Sequence, residues 1–142
     1  MEEGQLLARV DDRLGRDQLE IMQRKVAVAV SELAAAEKIK DEAFTRFKTQ
    51  EQLFSKADQK GTSQEDLRGS QLVWETKKYE AEAKKAAVDV ANLELKKAQT
   101  VLQMHEIRSP VGGTIREITK RRGEAVRNLE TVFVIEEARP GG

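Results

Sequence analysis

The chain has no cysteine, which removes disulfides, zinc-thiolate sites and thiol nucleophiles together. Its single histidine, His105, has no second histidine or cysteine beside it to complete a metal site. Aromatic residues make up only 4% of 142 residues, too few for a deep interior and suited instead to a narrow apolar seam. No run approaches the roughly 18 apolar residues needed to span a bilayer. The acidic opening Met1-Glu2-Glu3-Gly4 lacks the basic and then apolar order of a signal peptide. Charge of one sign is also missing: 25 basic and 25 acidic side chains cancel, so no overall field draws in nucleic acid or an anionic membrane. The carboxylates are scattered among basic neighbours, so none is set up as an acid–base pair. Gly112-Gly113 has no phosphate-loop lysine behind it. No catalytic, cofactor-binding or metal-ligating residue emerges, and the chain reads as a non-enzyme with no cofactor.

What is plentiful is charge, at 35% of residues, interleaved with apolar residues at a fixed step. Leu19, Val26, Leu33, Phe47 and Phe54 recur every seven positions, with Lys40 as the one polar rung. Met22, Ala29, Ala36, Ala43 and Ala57 supply a second, smaller position. A matching ladder follows in Leu67, Trp74, Ala81, Val88, Leu95 and Leu102. A seven-residue apolar step keeps one seam of a helix facing its partner. Between the ladders, Lys60-Gly61-Thr62-Ser63 interrupts both helical stretches at one point. Folding the chain there sets Phe47 against Trp74 and Lys40 against Ala81. The expectation is an antiparallel coiled-coil hairpin over 13–104, turning at 59–63, with arms on the order of 60 Å. Asp17-Gln18-Leu19-Glu20 has the spacing of a capping box for the first arm, which could also begin a turn earlier, near Arg13. Ser63-Gln64-Glu65-Asp66 has that spacing for the second. Val88, Val90, Leu93, Leu95, Val101 and Leu102 make the lower second helix apolar on more than one side. A β-lobe of the same chain, or a neighbouring subunit, is expected to cover it.

The ends of the chain change period. Gln5 to Asp12 reads as one β-strand, which needs a partner from elsewhere. Ile107-Arg108-Ser109-Pro110 ends the second helix. A glycine turn at Gly112-Gly113 then precedes an alternating strand to Ile118, and Ala125-Val126 and Thr131 to Ile135 complete a small β-lobe.

Ile107 to Ile115, Gly123-Glu124-Ala125-Val126 and Val132 to Ile135 together resemble the second half of a biotinyl/lipoyl-like β-sandwich. Glu3 to Asp12 resembles the end of its first half. A lipoyl-like fold split by a long α-hairpin resembles the HlyD-like membrane-fusion proteins, the periplasmic adaptors. The resemblance implies an α+β, mainly α fold: a long antiparallel two-helix coiled coil inserted between the halves of an incomplete lipoyl-like β-sandwich. It assigns 1–12 to the first half-motif, 13–104 to the hairpin, 105–137 to the second half-motif and 138–142 to a tail.

The same resemblance implies a periplasmic subunit of an export or efflux system, anchored at the inner membrane in the full-length protein. Its partners would be an inner-membrane transporter and an outer-membrane exit duct. Copies would associate as a ring or by strand completion, and no nucleic acid would be bound. The partner-binding residues would be those of the hairpin tip, Gln59, Lys60, Gly61, Thr62 and Ser63. Ser63 suits the serine of the adaptors' tip motif, whereas Gln52 and Lys56 stand where its arginine and leucine would fall. Two other readings use the same residues: a cytoplasmic coiled-coil scaffold with an unrelated β-tail, and a lipoyl- or biotinyl-type carrier. Pairing of the Gln5 to Asp12 strand with residues 107–136 separates the adaptor from the scaffold. A carrier needs a lysine at the turn between half-motifs, where this chain has Asp11-Asp12-Arg13.

Overall fold

A computed structural model describes residues 1–56, 63–127 and 129–138. The element order is β1 (Leu6–Arg9), α1 (Arg13–Ser55), α2 (Gln64–Gln103), β2 (Glu106–Arg108), β3 (Gly113–Ile118) and β4 (Phe133–Glu137). The chain divides into two compact units, Gln18–Ala98 and the pair Met1–Asp17 with Gln99–Gly142.

In the first unit α1 and α2 run antiparallel, as the stacking of Phe47 on Trp74 and the ion pair of Glu32 with Lys84 require. Burial follows the heptad step. Along α1, the shielded positions are Leu19, Met22, Val26, Ala29, Leu33, Ala36, Lys40, Ala43 and Phe47. Along α2 they are Leu67, Ser70, Trp74, Lys77, Ala81, Val88, Ala91, Leu95 and Ala98. The spacing alternates between three and four, the signature of a coiled-coil seam, except for one step of seven from Ala81 to Val88, where the intervening Lys84 is exposed. Among the described residues of this unit only alanines are buried: Ala43, Ala81, Ala91 and Ala98. Two helices cover a methyl group completely, whereas a leucine on the same seam projects beyond its neighbour and keeps one side wet. The second seam position of α2, with Ser70, Lys77, Ala91 and Ala98, escapes a reading guided by large residues, because alanine, serine and lysine carry no apolar signal of their own.

The helix ends differ from expectation at one place. Asp17 and Glu20 lie inside α1, so their capping-box spacing is not used. The helix starts at Arg13, where the Asp12 carbonyl accepts from Arg16 N–H at 2.9 Å and Asp11 Oδ1 accepts from Arg13 N–H at 3.2 Å. The capping aspartates sit just outside the helix, where the first N–H groups lack partners. At α2 the expected cap forms: Asp66 N–H donates to Ser63 Oγ at 3.1 Å and Leu67 N–H to the Ser63 carbonyl at 3.1 Å.

In the second unit β1 pairs antiparallel with β2, with Leu6 opposite Arg108 and Ala8 opposite Ile107. The strand preceding the hairpin thus pairs with the residues following it, as the adaptor reading requires and the scaffold reading does not. β1 is shorter than Gln5 to Asp12, because Asp11 and Asp12 are used as helix caps. Residues 106–108, expected only to end the helix, form β2, since α2 stops at Gln103 and His105 N–H closes on the Leu102 carbonyl at 3.1 Å. β3 pairs with β4 from Gly113 opposite Glu137 to Ile118 opposite Phe133. β4 therefore runs two residues later than Thr131 to Ile135, and Ala125-Val126 belongs to no strand. Gly113 is obligatory, because a Cβ there would collide with the Glu136 carbonyl. Ser109, 2% exposed, turns its hydroxyl onto the Val111 carbonyl and closes the bend between β2 and β3.

Candidate functional site

Four of the five expected tip residues, Gln59, Lys60, Gly61 and Thr62, lie outside the described residues. Ser63 is described and serves as the N-cap of α2. The described part of this end of the hairpin has two unlike sides, and both arise from the seam. On one side Trp74 stacks on Phe47, with ring centroids 5.5 Å apart and planes within 5°, and meets Phe44 obliquely at 5.1 Å. The Lys48 ammonium stands 5.5 Å from the Phe44 ring and 5.6 Å from the Phe47 ring. These contacts clamp the two helices together within a few turns of the tip.

On the other side the seam residues are small, and the helices leave a groove of about 470 Å³ between Ala43, Arg46, Thr49, Gly69, Ser70 and Val73. A second hollow of about 380 Å³ continues along Ile39, Val73 and Lys77. The hydroxyls of Thr45 and Thr49 donate back to carbonyls of their own helix at 3.0 Å. Arg46 Nε is held by Glu42 at 3.0 Å. The groove thus offers small and apolar side chains between satisfied polar ones. It could take a helix or side chains from another protein, and it holds no arrangement for bond chemistry.

The electrostatics agree with a surface of paired charges. Hydrogen bonds from the Arg13 side chain hold the Asp11 carboxyl at about 2, through Nε at 3.1 Å and Nη2 at 2.8 Å. Arg108 likewise lowers Glu106, and Lys120 lowers Glu130. Glu130 Oε2 is shut off from solvent, and its partner is the Lys120 ammonium at 3.1 Å. His105 sets Nδ1 2.8 Å from the Val101 carbonyl, so its ring serves a carbonyl of the last turn of α2. Among the described residues no three histidine, aspartate or glutamate side chains are grouped to hold a metal ion. No described helix is long and apolar enough to cross a membrane.

Of the lower α2 residues expected to be covered by the β-lobe or by a neighbouring subunit, some are exposed in the single chain. Val90, Leu93 and Val101 are 55%, 65% and 42% exposed, while Val88, Leu95 and Leu102 are half-buried. The apolar surface continues as a stripe at seven-residue steps along the outside of α2, through Leu72, Tyr79, Ala86 and Leu93. α1 carries its own outer stripe in Ile21, Val28 and Ala35, all exposed.

These features define a class: a long helical hairpin together with small antiparallel sheets to which both ends of the chain contribute. The crystal structure of MacA from Actinobacillus actinomycetemcomitans has this fold, matching 97% of the chain with a TM-score of 0.85 and 24% identity. This chain spans 42% of the length of that protein. No family model matches the sequence, and no curated protein matches it.

Proposed function

We propose that the chain is the hairpin-bearing part of a periplasmic adaptor in an export or efflux system. In this reading the hairpin is a spacer and docking element between an inner-membrane transporter and an outer-membrane duct. The observation that carries it is the pairing of β1 with β2 around the inserted hairpin, the order of elements that a split lipoyl-like domain demands. The likeness of the fold to that of MacA supports the same reading. Residues 1–12 and 105–137 then stand as the two half-motifs; of the expected tail, residues 139–142 lie outside the described residues. The full-length protein is anchored at the inner membrane.

The docking surface in this proposal is the tip, Gln59 to Ser63, together with the groove beside Gly69 and Val73. The outer stripes of α1 and α2 support side-by-side association of hairpins into a ring. Apolar residues repeated on the outside of a two-helix unit are left wet unless another copy covers them. Photocrosslinking from position 63 of the full-length protein in its own cells tests the docking role. The expected product is an adduct with an outer-membrane protein, and adducts confined to cytoplasmic proteins would overturn it. Tyr79→Glu with Leu93→Glu is expected to reduce the assembled mass while leaving helix content unchanged.

A further inference from the structure

We propose that the middle of the hairpin is a joint, formed by residues 36–43 of α1 and 77–84 of α2, where the two helices part and reclose while the sections on either side stay gripped. The inference concerns the hairpin alone and stands whether or not its tip docks to a duct.

The grip between the helices is uneven along the seam. Toward the tip it is aromatic: Trp74 meets Phe44 and Phe47, with ring centroids 5.1 and 5.5 Å away. Toward the chain ends it is aliphatic, with Val26, Leu33, Val88 and Leu95 shielded. Between these two sections no large apolar side chain is shielded in the seam. The shielded residues of α1 between Leu33 and Phe44 are Ala36, Lys40 and Ala43, and those of α2 between Trp74 and Val88 are Lys77 and Ala81. Lys84 stands at the next position of the step and is exposed. Alanine and lysine therefore fill the whole stretch.

Neither residue type holds two helices together well. An alanine buries a single methyl group, and a half-buried lysine offers only its stem while its ammonium reaches for water. Lys40 has no carboxylate partner among the described residues. Lys77 pairs with Glu80 of its own helix at 3.0 Å, and Lys84 reaches across to Glu32 at 3.0 Å. That second pair is the one ion pair crossing between the helices among the described residues, and solvent screens it because both side chains are about half exposed. Packing is incomplete at the same place, where the hollow of about 380 Å³ runs along Ile39, Ala43, Val73 and Lys77.

The backbone, in contrast, is unbroken. Both helices run through the joint, and neither 36–43 nor 77–84 contains glycine or proline. Alanine and lysine are good helix formers, so this stretch keeps each helix while removing what binds one helix to the other. Segments with few buried apolar contacts open at a lower free energy than their surroundings. The aromatic clamp holds the helices together beyond the joint, so the section toward the tip changes direction as one piece when the joint opens.

Amide hydrogen exchange of the full-length protein, read by mass spectrometry and corrected for intrinsic rates, tests this. A helix parted from its partner loses most of its stability, so exchange reports the opening. Exchange in 36–43 and 77–84 is expected to be at least about tenfold faster than in 22–33 and 88–95 on one side and in 44–51 and 70–76 on the other. Lys40→Leu combined with Lys77→Leu should remove that contrast and raise the urea midpoint, with helix content unchanged by circular dichroism. Uniform protection along both helices of the wild type would overturn the inference. A Lys40→Leu, Lys77→Leu variant that keeps the fast exchange would overturn it too, by showing that the seam residues do not set it.

Discussion

Replacing Trp74 with alanine should open the hairpin next to its tip. Trp74 is half-buried, so it loses less than the roughly 3–5 kcal/mol of a fully buried aromatic residue. Two ring contacts disappear with it, the stack on Phe47 at 5.5 Å and the oblique contact with Phe44 at 5.1 Å, each worth about 0.5–1.5 kcal/mol. Truncation of a partly exposed ring carrying both contacts should destabilise by about 2–3 kcal/mol. Urea unfolding followed by far-ultraviolet circular dichroism reads this as a lower midpoint at constant slope; fluorescence cannot serve, since Trp74 is the only tryptophan. The sharper quantity is the coupling between Trp74→Ala and Phe47→Ala, expected at about 0.5–1.5 kcal/mol. Phe54→Ala, one heptad further toward the tip, should add to Trp74→Ala without coupling. A Trp74–Phe47 coupling below about 0.3 kcal/mol would refute the clamp, since that is the scatter between independent sites.

Gly69 and Gly113 should respond to alanine with opposite signs. Gly69 lies in α2 with open space where a Cβ would stand, so Gly69→Ala should stabilise by about 0.5–1 kcal/mol, read as a higher urea midpoint. Gly113→Ala should destabilise by about 1–3 kcal/mol and speed amide exchange in β3 and β4, because the new methyl meets the Glu136 carbonyl. Ser63→Ala removes the cap on Asp66 N–H and should cost about 1 kcal/mol, with fraying at the start of α2 seen by nuclear magnetic resonance. Asp11 titrates at about 2 in the folded chain, below its ordinary 3.8. Its contribution to the start of α1 is therefore present above pH 4 and lost as pH falls through about 2. The acid limb of the stability curve should flatten in Asp11→Asn, and a carboxyl titration near 4 would contradict the pairing with Arg13.

Much of the fold is legible in the residues because a coiled coil writes its contacts into a period. The step of seven fixes which side of each arm faces inward, and the interruption at Lys60 to Ser63 fixes which rungs meet. Phe47 against Trp74 follows from counting. The small seam residues of α2 were not legible, since Ala91 and Ala98 are buried by the closeness of the partner helix rather than by their own hydrophobicity. The candidate groove was missed for the same reason: it is made by what Ala43, Gly69 and Ser70 leave unfilled. At the expected tip the capping role of Ser63 was readable, because a cap is a local hydrogen bond with a fixed spacing.

Sequence alone therefore determined the hairpin, its phase, the cap at Ser63 and the split of the β-lobe, all of which rest on spacing along one chain. Tertiary structure decided how β1 aligns with β2 and β3 with β4, because short strands carry too few residues to specify register from pattern. It also decided that Asp11 and Asp12 end a strand by capping a helix, that Leu129 stands at positive φ and exposed, and that the outer stripes of α1 and α2 face away from the seam. Each of these depends on which surfaces meet in space, and no period along the chain encodes that.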